Sequence, residues 1–184
     1  MQSRTALALL ASAALAACSH EGASDAPAAP KAEVIFQGPL PDVQVEALDG
    51  QIVNLRDVTR GKVAIVDMWA TWCAPCREIS ERAAELAKSD TTGELAIVGV
   101  DEGEARADVR NFLDAKGPAY PIYVDTLFGL SNAVHADQVP TLLLIDRAGT
   151  VRGVVHHLDA DTLHVVSALL AEKAAPALTP SPSP

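Results

Sequence analysis

The feature that most constrains this chain is a pair of cysteines, Cys73 and Cys76, set between a predicted strand and a predicted helix. Residues 62–68 (KVAIVDM) are mostly apolar and partly β-branched, which is typical of a strand buried on both faces of a sheet. Residues 74–88 are good helix formers with apolar side chains at helical spacing. Two cysteines in one helical turn can close a disulfide with little backbone movement. The sequence therefore predicts that the chemistry lies where this strand meets this helix.

Cys73 is expected at the N-terminus of that helix. Unpaired N–H groups and the positive end of the helix dipole favour a thiolate at such a place. Pro75 suits the first turn, because its missing N–H costs nothing there. The spacing therefore indicates a reactive first cysteine and a second cysteine within its reach.

Strand and helix patterns alternate along the rest of the chain. A β-hairpin is expected at residues 43–55, around Asp49-Gly50, and a second one at residues 141–156. Further strands are predicted at residues 95–100 and 120–124, and further helices at residues 104–116, at residues 127–135, and from a cap at Asp159 or Asp161 to about residue 173. This alternation predicts an α/β domain with helices on both faces of a mixed sheet.

The N-terminal residues have the pattern of a processing signal. Residues 1–17 carry one positive charge, Arg4, and an apolar run shorter than the roughly 20 residues that a membrane-spanning helix needs. The run ends in Leu-Ala-Ala-Cys18, which resembles the lipobox of bacterial lipoproteins. We therefore expect residues 1–17 to be a lipoprotein signal peptide and Cys18 to be the lipid attachment site. An ordinary cleaved signal peptide is the alternative.

Composition divides the remaining residues into a domain and two unstructured ends. Residues 18–36 are rich in Ala, Pro, Ser and Gly and are expected to form a flexible tether, and the Pro-rich residues 176–184 a disordered tail. The domain is then expected at residues 37–175, and a hydrophobic content of 49% is enough for a buried core. The formal net charge of −10 argues against a nucleic acid partner.

The string W-A-T-W-C-A-P-C resembles the active-site motif of the thioredoxin superfamily, and within it that of the TlpA/ResA-like, membrane-anchored thiol-disulfide oxidoreductases. The opening P-D-V-Q-V-E-A-L-D-G-Q-I-V-N-L resembles their N-terminal hairpin, and residues 104–124 resemble their inserted helix and strand. The segment Val139-Pro140-Thr141 matches the superfamily's cis-proline loop. The resemblance implies a thioredoxin-like fold, with a central mixed β-sheet flanked by helices and these two additions.

The resemblance also implies the roles of three residues. Cys73 would be the exposed nucleophile that forms a mixed disulfide, and Cys76, one helical turn deeper, would resolve it. Asp67 matches the buried acid of thioredoxin. A carboxylate in an apolar strand should have a raised pKa and could move a proton to or from Cys76. A hydrogen-bonded structural role is the alternative for Asp67. Beyond the redox-active disulfide, no cofactor and no metal is expected.

A substrate groove around the disulfide is implied as well. Pro140 would be cis, and the backbone of Val139 would pair with a bound peptide. The other implied groove residues are Trp72, Ala74, Pro75 and Thr141.

Together these features predict an envelope thiol-disulfide oxidoreductase that reduces the disulfides of exported proteins. It would face the periplasm of a bacterial envelope, be attached to a membrane through the lipid on Cys18, and be recharged by a membrane donor of thiols. Its partners would be oxidised envelope proteins, with apocytochrome c as one candidate. A protein disulfide oxidase is the nearest alternative, because the motif does not set the direction of electron flow.

Two further alternatives use the same fold. A copper-handling module would need His156 or His157 near the cysteines, at positions where the family usually has a glycine. A peroxidase would need Pro and Thr at set positions before its cysteine, where this chain has Met68 and Ala70. Ser80 is another departure, because it stands near the place of a proline that is common in the family.

Overall fold

The computed structural model describes residues 36–116 and 120–172. The predicted signal peptide, Cys18, nearly all of the predicted tether and the predicted Pro-rich tail lie outside these residues. None of the helices within the two ranges has the length and apolar character needed to cross a membrane.

The described residues form an alternating series of strands and helices. In chain order the elements are β1 (Gly38–Pro39), β2 (Gln44–Ala47), β3 (Ile52–Asn54), α1 (Leu55–Thr59), β4 (Val63–Trp69), α2 (Ala74–Ser89), β5 (Leu95–Glu102), α3 (Arg106–Lys116), β6 (Ile122–Asp125), α4 (Gly129–Val134), β7 (Thr141–Ile145), β8 (Thr150–Val155) and α5 (Ala160–Ala171).

The strands form one mixed sheet in the order β1-β8-β7-β4-β5-β6-β2-β3. The inner strand β4 pairs in parallel with β5 and antiparallel with β7. Strand β6 pairs in parallel with β5, and the N-terminal hairpin β2–β3 extends the sheet from β6. The predicted α/β class with a central mixed sheet, an N-terminal hairpin and an inserted helix and strand is confirmed.

Alternation along β4 divides its buried side chains between two cores. Val63, Ile65 and Trp69 pack in the core that contains residues of α2, α3 and α5. Ala64, Val66 and Met68 pack in the core on the opposite face, with residues of α1 and α4. Each fully buried Val or Ile contributes about 1.5–3 kcal/mol, so both cores hold β4 in place. Because side chains alternate along a strand, Asp67 lies on the face that α2 covers.

Two short elements differ from the sequence prediction. The hairpin ends at Asn54 instead of residue 55, and residues 55–59 form helix α1, which was not predicted, since the Asn54 side chain accepts a 2.9 Å hydrogen bond from the Arg56 N–H and caps a helix there. Strand β1 has only two residues, one of them Pro39, and forms by pairing with β8. So short a segment has no periodicity from which a strand could be predicted.

Candidate active site

The two cysteines lie directly after β4, at the start of α2. Cys73 is the N-cap of α2 and forms a disulfide with Cys76, at a Cα–Cα distance of 5.4 Å. The Cys76 N–H points at the Cys73 sulfur, 3.2 Å away, and Pro75 lies in the first turn. The predicted place of the pair is therefore confirmed, and an N–H at the helix N-terminus is available to stabilise a Cys73 thiolate.

The expectation that Cys73 is exposed is wrong for this disulfide form. Cys73 is only 3% exposed and Cys76 only 1%. The exposed neighbours are Trp72, at 71%, together with Ala74 and Pro75. A partner that reaches the disulfide must therefore contact these neighbours.

Asp67 is fully buried beneath α2 and has two hydrogen-bond donors. The Tyr120 hydroxyl donates to Oδ2 at 2.8 Å, and the Ser80 hydroxyl donates to the same oxygen at 3.3 Å. The other oxygen, Oδ1, has no hydrogen-bond partner among the described residues. Burial raises the pKa of Asp67 to about 6, although both hydrogen bonds oppose the rise. The predicted raised pKa is confirmed.

Tyr120 is a site residue that the sequence pattern does not predict. It precedes β6 and lies 53 residues from Asp67, and only the pairing of β6 with β5 brings it near. Gly99 on β5 leaves room for it, since a Cβ there would lie 3.2 Å from the Tyr120 ring and 2.5 Å from Ile122. No local pattern indicates this contact. The nearest available signal was Ser80, a hydroxyl in place of the usual proline.

The loop before β7 contains a cis peptide bond between Val139 and Pro140, as predicted. Thr141, predicted to line the groove, is instead fully buried and donates a 2.8 Å hydrogen bond to the Gln138 carbonyl. The His156 Nδ1 lies 2.9 Å from the Pro140 carbonyl and 3.3 Å from the Thr141 hydroxyl. A carbonyl only accepts, so Nδ1 carries the proton. Thr141 and His156 therefore fix the position of the loop through hydrogen bonds to two of its carbonyl groups.

His157 is exposed beside His156 and has no such bond to the loop. Within residues 36–116 and 120–172, no group of three or more His, Cys, Asp or Glu side chains is placed to hold a metal ion.

A second acidic residue, Glu104, holds the turn that leads into Cys73. Its two carboxylate oxygens accept 2.6 Å hydrogen bonds from the backbone N–H and the hydroxyl of Thr71. The Glu104 N–H in turn donates to Asp101 at 3.3 Å. Burial, followed by the adjacent Glu104 carboxyl, raises the pKa of Asp101 to about 8. The helix that was predicted from residue 104 begins instead at Arg106, because Glu104 lies in the preceding loop and accepts hydrogen bonds from Thr71.

Two cavities lie beside the active-site loops. The larger, of about 740 Å³, is lined by residues that include Pro75, Ile79, Val139 and Pro140. The smaller, of about 250 Å³, is lined by residues that include Trp72, Glu102, Phe128 and Val139. Val139 lines both, so the cavities meet at the cis-proline loop. Of the predicted groove residues, Trp72, Pro75, Val139 and Pro140 line these cavities, whereas Ala74 is exposed without lining either.

Comparison with known proteins gives one consistent result. Residues 37–154 match the sequence profile of the AhpC/TSA family. The chain is 30% identical over 125 residues to the thiol-disulfide oxidoreductase ResA of Geobacillus thermodenitrificans. The aligned residues cover 68% of this chain and 71% of that protein. It is 31% identical over 115 residues to ResA of Bacillus subtilis, covering 62% of this chain and 64% of that protein.

Solved structures have the same architecture. A candidate thiol-disulfide oxidoreductase from Bacteroides vulgatus superposes with a TM-score of 0.67 at 21% identity, covering 75% of this chain and 99% of that one. A thiol:disulfide interchange protein of the thioredoxin family from Chlorobium tepidum superposes with a TM-score of 0.60 at 28% identity, covering 73% and 97%. The thioredoxin-like fold predicted from the sequence is confirmed.

Proposed function

Because this chain belongs to the AhpC/TSA family of thioredoxin-like proteins, we propose that it is a thiol-disulfide oxidoreductase that reduces the disulfides of exported proteins. The observation that carries the proposal is the Cys73–Cys76 disulfide at the N-terminus of α2. A cysteine pair of this kind can pass two electrons and two protons without any other cofactor.

The reaction starts from the reduced pair. The Cys73 thiolate attacks one sulfur of the substrate disulfide, so that a mixed disulfide forms and the first substrate thiolate leaves and takes up a proton. Cys76 then gives up its proton and attacks the Cys73 sulfur. The Cys73–Cys76 disulfide forms, the second substrate thiolate leaves and is protonated, and both electrons of the cysteine pair have passed to the substrate.

Asp67 is suited to accept the proton of Cys76. It lies on the face of β4 that α2 covers, and α2 carries Cys76. A pKa of about 6 keeps Asp67 mostly ionised near neutral pH and still able to take up a proton. Tyr120 and Ser80 both occupy Oδ2, so Oδ1 is the oxygen left to carry the proton.

The cellular setting of the proposal rests on the sequence. The signal-like residues 1–17 and the lipobox-like Cys18 support an envelope protein that is lipid-anchored and faces the periplasm. Because that compartment is oxidising, the pair needs a membrane donor of thiols to be reduced again. Oxidised envelope proteins are the substrates in this proposal, and apocytochrome c, with its C-x-x-C-H sites, is one candidate.

A redox titration of the purified chain tests the direction of electron flow. A reductase is expected to have a potential near that of thioredoxin, about −270 mV, whereas a value near −120 mV would favour the oxidase alternative. A Cys76→Ser variant should accumulate mixed disulfides through Cys73. If the wild-type pair forms no disulfide in a mild oxidant, the proposal is wrong in both directions.

A further inference from the structure

Building on the proposed function, we propose that the smaller cavity, between Trp72 and Phe128, binds a lysine or arginine side chain of the substrate protein, next to the disulfide that Cys73 attacks. The cavity then selects substrates with a basic residue close to the reacting cysteine.

The carboxyl group of Glu102 lines this cavity. Glu102 is the last residue of β5 and is only 5% exposed. Neither of its carboxyl oxygens has a partner at full hydrogen-bond geometry among the described residues, although the side chain and the backbone of Ser131 approach it closely enough to oppose the rise of its pKa. By contrast, the buried Asp125 accepts a 2.6 Å hydrogen bond from the Leu130 N–H. A buried carboxyl without partners is costly, and a cationic side chain from a partner would satisfy it.

Two aromatic side chains, Trp72 and Phe128, also line the cavity. Trp72 is 71% exposed and Phe128 is 48% exposed. The Phe128 ring lies against Gly103, where any Cβ would collide with it, so the packing holds the ring in position. Aromatic faces attract ammonium and guanidinium groups. A long basic side chain can therefore pass between aromatic surfaces and place its charge at Glu102.

The cavity lies next to the disulfide and to the cis-proline loop. Trp72 directly precedes Cys73, and Val139 directly precedes the cis-proline, so the cavity opens beside both sides of the predicted peptide groove. Its volume of about 250 Å³ suits one side chain. Small-molecule sites are larger, usually about 300–1,000 Å³.

The charge around the cavity favours the same occupant. Asp137, exposed at the cavity, is a second acidic side chain beside Glu102. The whole chain has a formal net charge of −10, which attracts basic partners over a longer distance.

Disulfide-bonded peptides that differ only at the residues flanking one cysteine test the proposal. The flanking residue is lysine, arginine, Nε-acetyl-lysine, norleucine or glutamate, and the second-order rate constant of exchange with the reduced chain is measured for each peptide. The lysine and arginine peptides should react about tenfold faster than the acetyl-lysine and norleucine peptides, as expected for one charge-assisted contact.

Glu102→Gln should bring the lysine and norleucine rate constants together. This substitution removes an unpartnered buried charge and keeps the shape of the side chain, so the variant is expected to fold, which a thermal melt checks. Glu78→Gln is the matched control, because Glu78 is an exposed carboxylate that lines the larger cavity instead. It should keep the preference for basic peptides.

The outcomes separate this proposal from the proposed function. If wild-type protein reduces all five peptides at similar rates, the function stands and the cavity proposal is overturned. Loss of the preference in both Glu102→Gln and Glu78→Gln would overturn it too, since the cause would then be the overall charge. If no peptide is reduced, the proposed function itself fails.

Discussion

The Tyr120 hydroxyl donates a 2.8 Å hydrogen bond to Oδ2 of Asp67, and both side chains are buried beneath the helix that carries the reactive cysteines. The bond favours the ionised form of Asp67, whereas burial favours the neutral form. These opposing effects give Asp67 a pKa of about 6. This value is close enough to neutral pH for Asp67 to exchange a proton with a cysteine.

Removing this bond should raise the pKa of Asp67 further. In Tyr120→Phe, the carboxylate loses a hydrogen bond that stabilises its charge, and we expect its pKa to rise by about one unit. A carbon-detected NMR titration of the Asp67 carboxyl measures the shift. Tyr123→Phe is the control, since Tyr123 lies on β6 without a hydrogen bond to Asp67. An unchanged pKa in Tyr120→Phe would contradict the role of this bond.

Asp67→Asn should slow the resolution of the mixed disulfide. Asparagine can still accept the Tyr120 hydrogen bond, but it cannot take the proton of Cys76, so this step should slow by about 10²–10⁴-fold. Quenched-flow trapping of the mixed disulfide, followed by mass spectrometry, measures it. Asp108→Asn, at an exposed position on α3, provides the comparison. If the mixed disulfide does not accumulate in Asp67→Asn, Asp67 has only a structural role.

Glu102 should make the stability of the fold depend on pH. Burial, with a further contribution from the Asp125 charge, raises the pKa of Glu102 from 4.5 to about 7. A raised folded-state pKa means that the stabilisation is complete below pH 4.5 and is lost as the pH rises through about 7.

Glu102→Gln should therefore be more stable than wild type at pH 8 and about equal to it at pH 4. The difference at pH 8 should be about 3 kcal/mol, since the pKa rises from 4.5 to about 7 and one pKa unit corresponds to about 1.4 kcal/mol. Urea unfolding at the two pH values measures it, with Glu78→Gln as the exposed control. A stability difference that is the same at both pH values would show that Glu102 does not titrate in the folded protein.

The hydrogen bonds between Glu104 and Thr71 should contribute both to the stability of the fold and to the rate of disulfide exchange. In Glu104→Gln, the amide oxygen can still accept from the Thr71 N–H and the NH₂ can donate to the Thr71 hydroxyl, but both bonds lose the charge of the carboxylate, at a cost of about 1 kcal/mol. The turn before Cys73 should loosen, and disulfide exchange should slow. Thermal unfolding and exchange kinetics measure the two effects. Glu85→Gln, at an exposed position on α2, should show neither. If a destabilised Glu104→Gln variant keeps full activity, the conformation of this turn does not affect catalysis.

Much of the fold and the centre of the site could be predicted from local patterns. The apolar run of β4, the cysteine pair at the N-terminus of α2 and the Val-Pro-Thr loop before β7 each depend on residues close together in the chain. Backbone periodicity and helix-capping chemistry act over such short distances, so these elements appear near their predicted bounds.

The surroundings of the cysteines depended on the tertiary structure. Tyr120 reaches Asp67 across 53 residues and Glu104 reaches Thr71 across 33, because the parallel pairing of β4, β5 and β6 brings distant segments together. The burial of Thr141 and the position of Glu102 beside a cavity follow from the same packing. The sequence alone thus determined which groups do the chemistry, whereas the register of the sheet decided which side chains tune, hold and flank them, since contacts between distant strands leave no periodic pattern along the chain.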